Sequence, residues 1–167
     1  MENLGQVGEK EQQAPQLWQS KSINDVMARS YHVARQEQSL RLCAERATRR
    51  HGIDYVKWAI DCSDALGATM LSGPRHSTLG KFSGSGPSAA ELKRSVSSQH
   101  AIGDHAAKHG VTIGLEALNR FECYLFKTMD DLAAHIDAVG NPHIRAMYDT
   151  FHSKIEETDP IGVHAKQ

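Results

Sequence analysis

Four residues in the second half of the chain have the types that acid–base and metal chemistry require: Glu116, Glu122, Asp149 and His152. Glu116 closes the alternating run Val111, Ile113, Leu115, and Asp149 closes IRAMYD at 144–149, which places both carboxylates at strand ends. Glu122 and His152 follow in the loops just beyond. Carboxylates from two neighbouring strands, with imidazole nearby, suit a divalent cation such as Mn2+, Mg2+ or Co2+. Glu122 and His152 could then touch a bound substrate. The competing reading is that strand-end carboxylates cap helices or lie in solvent.

That chemistry needs elements that bring the strand ends together. Ile53, Val56, Ile60 and the stretch from Cys62 to Leu66 mark one helix face that ends at Gly67, and Ala68 to Leu71 is a short apolar strand. Ser88 and Glu91 form a capping box for a helix that runs to about His109, with Gly110 as its stop. Thr128 is the predicted N-cap of a third helix. Asp130 and Asp131 lie in its first turn, Leu132, Ile136 and Val139 form its buried face, and Gly140 ends it. Helix and strand therefore alternate, which implies α/β architecture with parallel strands joined by right-handed crossovers. In such sheets chemistry collects at the carboxyl ends of the strands.

The stretch SGPRHSTLGKFSGSGPS after the first strand is long enough to suggest a flexible lid. Its GSGPS lacks the GxxxxGK[ST] order of a phosphate cradle. His76 and Lys81 within it read as surface loop residues that a substrate hydroxyl or phosphate could reach. His100, His105, His109, His135 and His143 read as helix or turn residues that mostly face solvent, without paired ligand spacing. Phe121, Tyr124, Phe126 and Phe151 fit either an apolar wall beside a ligand or ordinary loop packing.

Residues 1–20 have the composition of a mobile polar tail, and 21–51 form a helix-prone segment. Arg46, Arg49, Arg50 and His51 suit the C-terminal end of that helix, with Gly52 as its stop. The 167 residues carry 19 Lys+Arg against 20 Asp+Glu, a net charge of −1, which argues against a general nucleic-acid binder. No apolar run approaches the length of a membrane span. Cys43, Cys62 and Cys123 include no CxxC pair, so neither a disulfide framework nor a zinc ribbon is expected. A soluble, cytoplasmic chain is the expectation.

The motif Gly114-Leu115-Glu116-Ala117-Leu118-Asn119-Arg120-Phe121-Glu122, then Asp149-Thr150-Phe151-His152 and Ile155-Glu156-Glu157, closely resembles the ketose 3-epimerases. These are the D-tagatose and D-psicose epimerase group of the xylose-isomerase-like TIM barrel sugar phosphate isomerases/epimerases. The similarity extends back through GIDYVKWAIDCSDALGATMLSGP. It implies a partial (β/α)8 TIM barrel over 52–160, retaining about three parallel strands, with a tail at 161–167. It also implies one divalent ion, most often Mn2+, with Glu116 and Asp149 as the first two ligands, and Glu122 and His152 hydrogen-bonded to the sugar. The expected reaction is C3 epimerisation of a ketose or sugar phosphate through a cis-enediolate, with Glu116 as one of two acid/base carboxylates.

The third and fourth ligands of that family, a His and a Glu from later strands, have no counterpart here. His164 follows Asp149 too closely to lie on a next strand. The isolated chain is therefore expected to be inactive, or completed by a homo-oligomer or another association. Alternatives on the same scaffold are an aldose–ketose or hydroxypyruvate isomerase. Another is a metal-dependent endonuclease, which the missing basic face and histidine-rich cluster disfavour. A non-catalytic truncated barrel that binds a partner is the alternative from a different class.

Overall fold

A computed structural model describes residues 44–77 and 79–164. The expectations for the polar tail, for most of the helix-prone segment, for Cys43 and for the last three residues fall outside them. Helix α1 spans Arg46–Ala65, strand β1 Met70–Gly73, helix α2 Ala89–Lys108, strand β2 Thr112–Glu116, helix α3 Met129–Val139 and strand β3 Ile144–Met147. Two short helices follow, α4 Thr150–Glu156 and α5 Pro160–His164.

The helix boundaries follow local chemistry. Ser88 accepts from the Glu91 amide, and the Glu91 carboxylate accepts from the Ser88 amide at 2.8 Å, which closes the expected capping box. The Thr128 hydroxyl accepts from the Asp131 amide at 3.2 Å. Gly140 stops α3 in the left-handed region at φ 62°, where a side chain would meet its own backbone.

Helix α1 departs from expectation. It begins at Arg46, with the Glu45 carboxylate accepting from the Thr48 amide, and runs through Gly52 without a break. The basic cluster thus occupies the first turns of this helix and not the last turn of an earlier one. Gly52 is buried in line with Val56 and Ile60, at i, i+4 and i+8. Burial of that face outweighs the ~1 kcal/mol helix penalty of an interior glycine.

The three strands form one parallel sheet in the order β1-β2-β3, with α2 and α3 as the crossovers. In register, Leu71 aligns with Ile113 and Ile113 with Ile144, while Ser72 aligns with Gly114 and Gly114 with Arg145. Side chains alternate along a strand, so Leu71, Ile113, Leu115 and Ile144 share one face. There they join Val56, Ile60, Ile102, Ala106, Leu132 and Val139 in the core. Ser72, Gly114, Glu116, Arg145 and Met147 belong to the opposite face. The central strand is buried from Ile113 to Glu116, whereas β1 and β3 are partly open. Glu116 therefore leaves the sheet at the carboxyl end of its most enclosed strand.

Candidate active site

Glu116 is 8% exposed, and the chain beyond it folds back over the sheet end. Asn119 organises this turn: its side-chain oxygen accepts from the Phe121 amide at 2.9 Å, and its Nδ2 donates to Glu122 Oε1 at 3.1 Å. Arg120 clasps Glu156 on α4 through both its amide, at 2.6 Å, and its Nε, at 2.8 Å. Glu157 accepts from the Met129 amide at 2.7 Å. The loop after β2 and the helix after β3 are thereby lashed together, and the ends of the two strands face each other.

Asp149 caps α4, with Oδ1 accepting from the Phe151 amide at 2.7 Å and, at 3.4 Å, from that of His152. The capping reading of this carboxylate is thus correct, yet capping does not consume the group. Donor atoms of Glu116, Asp149 and His152 all lie within 4.8 Å of one another. His152 Nε2 is 3.8 Å from Glu116 Oε1. Its Nδ1 faces two donors from Asn119, the amide at 3.2 Å and Nδ2 at 2.9 Å. Nδ1 must therefore accept, and a neutral His152 carries its proton on Nε2, directed toward Glu116. An Nε2–H suits hydrogen bonding to a substrate oxygen better than ligation of a cation.

The electrostatics follow from this crowding. Burial, the hydrogen bond to Asp149 and the charges of Asp149 and Glu122 push the Glu116 carboxyl up to about 7. Burial also acts to raise Asp149. The hydrogen bond from Glu116 and those from the Phe151 and His152 amides outweigh it and hold Asp149 below its ordinary value. Near neutral pH Glu116 is poised between its two protonation states, and when protonated it donates to Asp149. A divalent cation fits this donor set, because it would replace one shared proton with two charges between two carboxylates.

Three of the four residues expected from sequence thus form one group, and Glu122 stands beside it, half-buried and joined through Asn119. Asn119, Arg120, Glu156 and Glu157 were quoted as motif residues without a role, and they prove to be the clasp. The signal lay in their spacing: Asn119 and Arg120 follow Glu116 by three and four residues, and Glu156 and Glu157 follow Asp149 by seven and eight.

Other expectations need correction. His76 is fully buried and not on the surface, with Nε2 2.7 Å from the Glu116 carbonyl oxygen and an edge contact to Phe126. The loop that carries it is tied down by Gly80, whose amide donates to the Glu122 carbonyl at 2.8 Å. His135 is 5% exposed, bonded to Ser95 at 3.2 Å and stacked on Phe126. His143 is half-buried, with Nδ1 2.8 Å from the Val111 carbonyl oxygen. His105 and His109 are paired after all, one helical turn apart and turned toward α1. The four aromatic residues do not form one wall, since Phe126 is core while Phe121 and Phe151 are 72% and 62% exposed. Tyr124 is half-buried and donates to Glu91 at 2.6 Å.

Among known families, the one described as xylose isomerase-like TIM barrel matches residues 19–165. The chain belongs to that family. It is similar to the L-ribulose 3-epimerase of Methylomonas sp. (strain DH-1), 35% identical over 107 residues, which cover 64% of this chain and 37% of the relative. It is also similar to the ketose 3-epimerase of Arthrobacter globiformis, 29% identical over 68% of this chain and 39% of the relative. Among solved structures, D-allulose 3-epimerase from Methylomonas sp. in complex with D-allulose superimposes with a TM-score of 0.69 at 30% identity. That superposition covers 72% of this chain and 42% of the other. The resemblance to ketose 3-epimerases read from LEALNRFE and DTFHSKIEE is therefore borne out, as is the barrel-type fold. The chain spans about two-fifths of the length of these relatives. No helix among the described residues is long and apolar enough to cross a membrane.

Proposed function

We propose that this chain carries half of a ketose 3-epimerase site, in which Glu116 exchanges the proton at C3 of a ketose or ketose phosphate. The observation that carries the proposal is Glu116 itself. It is a buried strand-end carboxyl poised at about 7, coupled to Asp149 and faced by the Nε2 of His152. A group with that affinity for protons can both take and return one near neutral pH. Glu116 and Asp149 would hold the divalent cation, Mn2+ in first place, and His152 and Glu122 would hydrogen-bond the sugar. When bound, such an ion supplies the positive charge that polarises the C2 carbonyl.

The steps assigned to the chain's own residues are limited. His152 Nε2–H donates to a sugar oxygen, and Glu122 accepts from a sugar hydroxyl. Ionised Glu116 takes the proton from C3, and the electron pair of the broken C–H bond moves toward the C2 oxygen to give the cis-enediolate. Return of the proton by Glu116 to the same face regenerates the starting sugar. Inversion needs a second acid/base group on the opposite face. No such group is assigned among the described residues, so it must come from another segment or another chain.

The test is C3–H exchange in D2O, followed by proton NMR on D-fructose, D-tagatose and L-ribulose with Mn2+ present. Exchange that disappears in Glu116→Gln supports the proposal, with or without net epimerisation. Exchange unaffected by Glu116→Gln, or absent in wild type with Mn2+ present, overturns it.

A further inference from the structure

At the other end of the sheet, four side chains converge between α1 and α2: Asp61, Asp64, His105 and His109. We infer that Asp61, His105 and His109 form a second cation site, selective for a borderline first-row ion of the Zn2+ class, with Asp64 orienting His109. His105 lies in the last turn of α2 and His109 is its C-cap, four residues on, and their ring centroids are 4.7 Å apart. This i, i+4 spacing lets two imidazoles reach one point from a single helix face. Asp61 reaches the same point from α1, with Oδ1 2.5 Å from His105 Nε2 and 3.3 Å from His109 Nε2. All three donor atoms fall within 4.8 Å of one another.

The hydrogen bonding leaves room for an ion where a proton would otherwise bridge His109 and Asp61. His109 Nδ1 is 2.7 Å from Asp64 Oδ2, a contact that places the imidazole proton on Nδ1. Nε2 of a neutral His109 is then a bare lone pair. It faces Asp61 Oδ1, an acceptor that already serves His105. Either a proton on Nε2 or a metal ion can bridge the two at 3.3 Å, and the converging His105 makes a third donor available to the metal. A tetrahedral ion with ligand bonds of ~2.0–2.1 Å has donors about 3.3 Å apart, so the His109–Asp61 edge already has the required length. The shorter His105–Asp61 contact would open by about 0.8 Å as the ion replaces the proton shared there. Asp61 is half exposed and free to make that adjustment. Carboxylate, imidazole and ion in line is the outer-shell arrangement that fixes the tautomer of a ligating histidine.

The location separates this cluster from Glu116. Asp61 and Asp64 lie at the end of α1, just before β1, and His109 just before β2. The cluster therefore sits at the amino ends of the strands, whereas Glu116 closes β2 about 13 Å along the strand. At that end of a barrel a bound ion serves to fasten helices and not to act on substrate.

Calorimetric titration with Zn2+ tests the inference on three chains: wild type, Glu116→Gln/Asp149→Asn, and His105→Gln/His109→Gln. The site predicts that one equivalent persists in the carboxylate double variant. It also predicts that this equivalent weakens at least about 100-fold in the histidine double variant, and about 10–100-fold in Asp64→Asn. Zn2+ added to wild type must also perturb the His105 and His109 imidazole signals in nitrogen-15 NMR spectra, a readout that needs no variant. No binding to the carboxylate variant, or imidazole signals of His105 and His109 that do not move, overturns the inference and leaves a hydrogen-bonded clasp. Because the carboxylate variant removes the Glu116 site, failure here is distinguishable from failure of the proposed C3 chemistry.

Discussion

Acidification should loosen the fold through His135, a histidine that the core holds neutral. The imidazole is buried between Ser95 and Phe126, and burial, with the neighbouring His76 acting in the same direction, lowers it to about 4. In the unfolded chain it titrates at about 6.5. The folded value is depressed for a base, so the unfolded state binds more protons below that point. Its penalty is therefore absent above pH 7 and grows as pH falls toward 4. At pH 5 the difference amounts to about 2 kcal/mol, rising to a limit of about 3.4 kcal/mol below pH 4. For a fold of this size 2 kcal/mol is roughly 6–10 °C in Tm.

Urea unfolding at pH 7 and pH 5 measures the loss in wild type and in His135→Gln, whose amide can still bond Ser95 but does not titrate. The variant should lose about 2 kcal/mol less than wild type over that interval. Direct titration of the imidazole by NMR should show it neutral at pH 5. A His135 that protonates near 6.5 in the native state, or a variant as acid-sensitive as wild type, would refute the reasoning.

Three more predictions concern the site and its support. Asp149→Asn should weaken Mn2+ binding, read by calorimetry, at least about 10-fold. It should scarcely change Tm, because Asn caps a helix as well as Asp. Gly103→Ala should destabilise by about 1–3 kcal/mol in urea unfolding. An added Cβ there would lie 2.5 Å from Asn141 Cγ, and Asn141 is held by Asp104 and the His143 amide. Ile113→Ala, which empties a fully buried position in the central strand, should cost about 2–5 kcal/mol by the same assay.

Much of the architecture was legible because its signals are local. Ser88 with Glu91, Thr128 with Asp131, and the glycines at 67, 110 and 140 act within one turn of chain, and each marks an observed boundary. Glu116 and Asp149 were legible as strand-end carboxylates because strand alternation and the apolar runs before them place the ends. Gly52 misled because its local preference for ending a helix yields to the burial of its face with Val56 and Ile60. His135 misled in the opposite direction. The buried face of α3 passes through Met129, Leu132, His135 and Val139, so a polar side chain between Leu132 and Val139 was carried inward. Its cost is offset by Ser95, 40 residues away in the sequence.

The sequence by itself thus determined the order of elements, their caps, the parallel sheet and the two carboxylates at the carboxyl ends of its strands, since each depends on residues a few positions apart. Only the tertiary structure raises the Glu116 carboxyl toward neutrality, because the shift needs burial and a second charge brought from 33 residues further along the chain. The tautomer of His152, on α4, was settled in the same way, by an asparagine on the loop after β2. So was the pairing of Asp61 with His105 and His109, which arises from two helices packed side by side. Periodicity reports which face of an element is buried; the partners waiting there are set by how the elements pack.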